Sequence, residues 1–236
     1  MKVFDLDKPV PNYLIKHEKT HTALALALSL IAAPILSALM IATKGVNLVT
    51  TSISKLGWQN DMLPVVYLWG LYNLALFAYL LKITLDKGQY SKRSKILFYS
   101  LTAAGCVILL VGISIPFISD EIYQHYVMRK VHNAFATVGF VLFVVILIAL
   151  TVTTFFRNRL QAYISAGLMC FLIITGIFSV LCVNSPEKAT FITAASQMYI
   201  FSMLHVILAC QYIMNGLLPN EHAIKQNDTE IAKSAL

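Results

Sequence analysis

The chain has 236 residues, 58% of them hydrophobic and only 12% charged, with a mean hydropathy of +0.73. A soluble domain carries about a quarter charged residues, so the composition excludes a water-soluble globular protein, and six spans of about 22 residues would leave no room for a separate soluble domain. The formal charge of +7 is scattered among apolar stretches and forms no basic stripe with interleaved aromatics, so no nucleic-acid partner is predicted.

Residues 1–22 read as a cytoplasmic N-terminal tail that mixes Lys2, Lys8, Lys16 and Lys19 with Asp5, Asp7 and Glu18. The apolar run that follows is too long for a signal-peptide core and is read as a retained anchor. Apolar runs at 23–43, 62–84, 96–118, 133–156, 162–183 and 194–216 are each long enough to cross a bilayer. They lack two-residue alternation, so the predicted fold is all-α: a polytopic six-helix transmembrane domain over 23–216, followed by a cytoplasmic tail at 217–236. In the first span Ala25, Ser29, Ala33 and Ser37 form a small-residue stripe on which a partner helix could pack, and Pro34 should kink the same helix. Gly105 with Gly112, and Gly167 with Gly176, predict close helix approach, and Pro116 should weaken the outer end of span three. Spans three and five both end in a Gly-Ile turn, Gly112-Ile113-Ser114 and Gly176-Ile177-Phe178-Ser179. Each is followed by a polar pair opening the next span, His132-Asn133 and Ser196-Gln197, which suggests a repeated helical hairpin.

Thirteen of the 18 Lys and Arg residues fall on the side of the two tails and the loops near 82–95 and 157–161, and five on the other. The positive-inside rule then puts both termini in the cytoplasm. Cys106, Cys170, Cys182 and Cys210 are single and widely spaced and give no redox or zinc signature.

Polar residues at the outer ends of the spans are the candidates for chemistry. From Asp120 to Asn133, the residues Glu121, His125, Arg129 and His132 are spaced to share one helix face. That stripe is either an interfacial cap or, through His132 and Asn133, one wall of a polar cavity. A metal is not predicted, because His125 and His132 are about 10 Å apart along a helix and ligands sit about 2 Å from one ion; no cofactor is predicted either. Asn73 and His205 should lie at similar depth in spans two and six, as a hydrogen-bonded core pair or as a functional group in the membrane. The outer loop 44–61 is rich in hydroxyls: Ser52, Ser54, Trp58 and Asp61 could bind a polar headgroup, or serve only as a capping turn with a belt tryptophan. Ser52 or Ser54 could also act as a nucleophile with His125 or His132 as base, although no Gly-x-Ser-x-Gly elbow surrounds either serine.

The Ser-x-Ser-x-Leu-Gly turn from Ser52 to Gly57 and the His132-Asn133-Ala134-Phe135 opening of span four resemble a six-helix membrane superfamily. It includes the DRAM autophagy modulators, the Sfk-type proteins, the fibroblast-growth-factor-receptor-activating proteins and bacterial relatives classed only as domains of unknown function, which this chain looks most like. The resemblance covers residues 20–216. It implies a lipid-facing role, with membrane lipids as partners, in a bacterial cytoplasmic membrane. Eukaryotic members usually carry Ser-Asp-Thr-Gly and then Pro-Glu, where this chain has Ser54-Lys55-Leu56-Gly57 followed by Trp58-Gln59-Asn60-Asp61.

Three functions are consistent with these residues. The first is an outward-facing polar vestibule that binds a lipid headgroup or small polar molecule through Trp58, Asp61, Arg129, His132 and Asn133. The others are an intramembrane lipid-processing hydrolase using Ser and His, and a structural or regulatory membrane subunit.

Overall fold

The structure, a computed structural model, describes residues 3–5, 9–32, 52–59, 61–117, 123–182 and 194–217. Expectations for Ala33, Pro34, Ser37, Glu121 and the C-terminal tail fall outside these residues, as do those for the side chains of His125, Gly176 and Cys182. The described elements are α1 (Asn12–Lys16), α2 (Glu18–Ala27, running into a π-helical turn at Leu28–Ala32), α3 (Ile53–Gln59), α4 (Leu63–Lys87), α5 (Lys92–Ser114), α6 (Tyr123–Phe155), α7 (Arg159–Cys182) and α8 (Ala194–Leu217). Among the described residues there is no β-strand, only an isolated bridge between Phe4 and Tyr90.

Among the described residues four helices are long and apolar enough to cross a membrane: α4, α5, α6 over Tyr126–Phe155 and α8 over Gln197–Asn215; within α7 the stretch Arg159–Ile174 is a shorter apolar helix. A helix suits an apolar medium because it satisfies its own backbone groups. Helix α4 lies deepest: Val66, Trp69, Gly70, Asn73, Leu74, Phe77, Leu80, Leu81 and Thr84 are buried at three- and four-residue spacing. It meets Phe143, Ile146, Leu147 and Leu150 of α6 and Leu204, Ile207 and Leu208 of α8 in one core. The opposite faces are also apolar. Ile96, Val107, Val138, Val145, Ile148 and Val152 are all exposed, a continuous apolar exterior of the kind a soluble monomer avoids.

Small residues let the helices approach where the sequence suggested it for α5. A Cβ on Gly105 would sit 3.3 Å from the Phe143 ring, and one on Gly112 would sit 3.3 Å from Phe135 Cβ. Gly139 on α6 is tighter still, with Leu109 Cγ 2.5 Å from where its Cβ would be. The matching expectation for α7 is not met at Gly167: it is exposed and no described residue lies within 4 Å of its Cβ position, so among the described residues no helix packs on that glycine. In α2, Ala25 and Ser29 are fully buried, so the described half of the small-residue stripe packs inside the chain's own bundle. Within the π turn the Leu28 carbonyl accepts the Tyr72 hydroxyl at 3.2 Å.

One end of the bundle is locked by the N-terminal segment and the turns beneath it. Residues 3–5 and 9–22 pack on the bundle. Asp5 N–H donates to the Gln89 carbonyl, and Ser91 N–H to the Val3 carbonyl, both at 2.8 Å. Tyr13 donates to Asp86 at 2.5 Å, Lys95 holds the other Asp86 oxygen at 2.5 Å, and Lys87 pairs with Glu18 at 2.7 Å. Burial, then the bond to Asp86 and its charge, push the Tyr13 hydroxyl up from its usual range. Between α6 and α7, Arg157 is buried and donates to the Gly88 carbonyl at 2.7 Å, to Asn215 Oδ1 and, at 3.5 Å, to Gln161 Oε1. Gln161 donates in turn to Asn215 and to the Gln211 carbonyl, and Asn215 donates to the Thr84 carbonyl. A single guanidinium thus ties the end of α4 to the start of α7 and the end of α8, with the Gly88 carbonyl, just past the last turn of α4, as its backbone acceptor.

Two predictions follow from this packing. Gly139→Ala should destabilise the protein by about 1–3 kcal/mol through overpacking, whereas Gly167→Ala should be neutral or slightly stabilising; thermal unfolding in detergent would separate them, and equal shifts would contradict the packing described. Arg157→Leu should cost about 3 kcal/mol because several buried acceptors lose a charged donor, and Arg157→Lys should recover less than half of it, since an ammonium cannot span the same fork.

Candidate functional site

The other end of the bundle holds α3, the start of α4, α6 and α8, and the end of α5. Helix α3 has only seven residues and is held by its surroundings. Ser52 caps it, its Oγ accepting the Lys55 N–H at 3.2 Å. Ile53 and Leu56 are buried with Met62, Val66 and Trp69 in a small separate core. Gly57 allows α3 to lie on α4, a Cβ there being 3.3 Å from Val66 Cγ2. Two long-range bonds complete the attachment: Trp58 Nε1 donates to the Ile113 carbonyl at 3.2 Å, and the Ile53 N–H donates to Gln197 Oε1 of α8 at 2.8 Å. Asp61, exposed and with φ 54°, makes the turn into α4.

The end of α5 sets the histidine. A proline disfavours helical geometry in the residue before it, and Ile115, before Pro116, is extended at φ −82°, ψ 127°. Its carbonyl leaves the helical ladder and accepts His132 Nδ1–H at 3.1 Å. In the neutral ring that bond places the proton on Nδ1 and leaves Nε2 as an acceptor. Nε2 lies 2.8 Å from Ser54 Oγ, so the Ser54 hydroxyl donates to it. Phe117 stands edge-on to the imidazole at 5.1 Å. His132 is 4% exposed; α6 begins nine residues before it, so the ring lies inside the bundle and not at a helix start.

Ser54 and His132 line a cavity of about 80 Å³, several times the space one water requires. Its other walls are almost wholly apolar: Val66, Leu74, Leu109, Ile113 and the edge-to-face pair Trp69 and Phe201, whose centroids are 5.2 Å apart. Gln197 adds the remaining side-chain amide. The cavity beside Ser54 and His132 is thus an apolar chamber with a polar edge.

The structure brings together some of the sequence candidates and separates others. Ser54 and His132 touch; Ser52 is engaged in capping, Trp58 ties α3 to α5, and Asp61 is exposed. Arg129 lies over the Tyr126 ring at 5.5 Å, with Lys130 over the same ring at 4.5 Å, and Asn133 is exposed while its neighbour His132 turns inward. Asn73 and His205 meet deeper in the bundle, His205 Nε2 donating to the Asn73 carbonyl at 3.0 Å and Asn73 Nδ2 to the Trp69 carbonyl at 2.7 Å. Both side chains are buried, and His205 Nδ1 has no partner among the described residues; neither lines the cavity.

Sequence reasoning missed Gln197 as a site residue, together with Trp69, Phe201 and the Ile115 carbonyl. Two signals pointed toward them. Pro116 implies a freed carbonyl one residue earlier, and the paired His132-Asn133 and Ser196-Gln197 motifs each send one side chain to α3, to Ser54 and to Ile53 respectively.

If the Ile115 carbonyl fixes the ring, nitrogen NMR of histidine-labelled protein should show His132 as the Nδ1–H tautomer. Pro116→Ala, which lets α5 continue and occupies that carbonyl, should give a mixture of tautomers. An Nε2–H tautomer in the unaltered protein would contradict the arrangement.

No protein family, curated protein or solved structure matches this chain, and the function has to be argued from the geometry around Ser54 and His132.

Proposed function

We propose that this is a six-span membrane protein, with both termini in the cytoplasm, that binds a membrane lipid at its outward end. The oxygen-bearing group and the carbons next to it enter the chamber between α4, α5, α6 and α8, where the group meets Ser54 and His132, and the rest of the lipid lies along the apolar exterior. The observation that carries this reading is one hydrogen-bonded Ser–His pair on the wall of an otherwise apolar cavity. An apolar pocket with a few convergent polar groups is the usual form of a small-ligand site, and among the described residues the lining includes no ionisable side chain except His132. A charged headgroup finds no counter-charge among these residues, so it stays outside while the apolar carbons enter. The bias of Lys and Arg toward the opposite end of the bundle supports the outward orientation, and the resemblance of the Ser52 to Gly57 turn and the His132 motif to a lipid-linked superfamily supports the choice of ligand. The placement in a bacterial cytoplasmic membrane belongs to the same proposal.

Native mass spectrometry of the full chain released gently from its membrane should show a discrete adduct of lipid mass. Ala136→Leu, which adds bulk on the cavity wall, should lower its occupancy at least tenfold, a loss of about 1.4 kcal/mol in binding, while leaving the helical content unchanged. An adduct of undiminished occupancy in a folded Ala136→Leu protein would overturn the assignment of the cavity.

A further inference from the structure

We propose that the site breaks an acyl ester of its lipid, with Ser54 as nucleophile, His132 as its base and the Gln197 side-chain amide as donor to the carbonyl oxygen. The proposal rests on the lipid-binding reading above and adds a reaction to it.

Serine is a poor nucleophile unless a base takes its proton, and the base works only if a third group holds its ring and tautomer. All three parts are present in order: the Ile115 carbonyl accepts from Nδ1 at 3.1 Å, and Nε2 accepts from Ser54 Oγ at 2.8 Å. The third group is a backbone carbonyl and not a carboxylate. It fixes the tautomer equally well but stabilises the imidazolium less, which suits acyl esters more than the harder amides.

A developing oxyanion needs a preorganised donor. The orientation of the Gln197 carboxamide is set by its own bond: Oε1 accepts the Ile53 N–H, so Nε2 is the free end of the group. It has no hydrogen-bond partner among the described residues, and the residue that anchors Gln197 is the one immediately before Ser54. Both Gln197 and Ser54 line the cavity. The apolar walls then serve two ends. They receive the ester carbonyl with the few apolar carbons beside it, and they keep bulk water, in which the dipoles of a wet site would be screened, away from it. Selection falls on the acyl part of the substrate, because among the described residues His132 is the one ionisable group that lines the chamber.

The step balances without any further reagent except water. Ser54 Oγ bonds to the carbonyl carbon as its proton passes to His132 Nε2; the tetrahedral carbon collapses, the bond to the alkoxy oxygen breaks, and the proton on Nε2 leaves with the alcohol. A water or a second alcohol then bonds through its oxygen to the acyl carbon as its proton passes to His132 Nε2; the bond from that carbon to Ser54 Oγ breaks, the acyl group leaves as the acid or the new ester, and Nε2 returns the proton to Oγ.

A long-chain alkyl fluorophosphonate tests this on the purified full chain, since Oγ bonds to phosphorus with loss of fluoride. Peptide mass spectrometry should find a single label at Ser54. The labelling rate should fall at least about 100-fold in His132→Ala. It should also fall about 100-fold in Gln197→Glu, which keeps the acceptor for the Ile53 N–H and removes the donor. Ser54→Cys, which preserves the contact with His132, should remain folded and should be alkylated by iodoacetamide at that position faster than Cys170, a cysteine exposed on α7. An unlabelled Ser54, or one labelled equally fast in His132→Ala, overturns the reaction. If the lipid adduct persists in that case, the binding reading stands without the chemistry; if the adduct is missing as well, both fall.

Discussion

In an apolar medium each backbone N–H and C=O must find a partner within the protein, and a helix provides that for all but its first and last turns. The unsatisfied groups of this chain are therefore concentrated at the two ends of its bundle, and so is almost all of its specific polar chemistry. At one end the Gly88 carbonyl is taken by Arg157, and Asn215 adds a second donor to the Thr84 carbonyl, which also accepts the Gly88 N–H. At the other the Ile115 and Ile113 carbonyls are taken by His132 and Trp58. Between them the contacts are mainly apolar, with the His205 to Asn73 bond as a deep exception.

The two ends use the same resource differently. Around Arg157 the donors and acceptors close on one another: guanidinium, Gln161, Asn215 and helix-end carbonyls form a network of short reach that clamps several helices, with Tyr90 buried beside it against Thr153. Burial raises the Tyr90 hydroxyl, partly offset by its threonine partners and by the Arg157 charge, so the tyrosine stays neutral beside the cation. Around His132 the chain of bonds ends at a hydroxyl beside an open volume. A network that ends at a cavity can accept a ligand, whereas a closed one confers rigidity. The closed end holds the helices in register so that the open end keeps its geometry.

Much of the fold was legible because hydropathy runs of this length allow few alternatives. The expected spans at 62–84, 96–118 and 194–216 correspond closely to α4, α5 and α8, and Pro116 stops α5 within two residues of its expected weak point. Helix α3 was not legible: a seven-residue segment containing Gly57 has no helical preference strong enough to reveal itself, and it exists because Ser52, Val66 and Gln197 hold it from three directions. Ser54 and His132 each stood out as polar residues beside apolar runs, yet 78 positions separate them, and nothing local distinguishes Ser54 from Ser52 or His132 from His125. The burial of Arg157 was hidden for a related reason. A basic residue in a short loop after a span satisfies the charge rule for topology whether or not other helices close over it.

The bridge between Phe4 and Tyr90 bears on how the chain is assembled. A ribosome delivers Phe4 first, but its partner strand position at Tyr90 and the flanking Gln89 and Ser91 exist only after α4 has been made. Until then Phe4 and its neighbours lack these partners. Closure of the bridge joins residues made earlier to the turn between α4 and α5, which is made later, so that the pairing can form only once the hairpin of α4 and α5 has been turned.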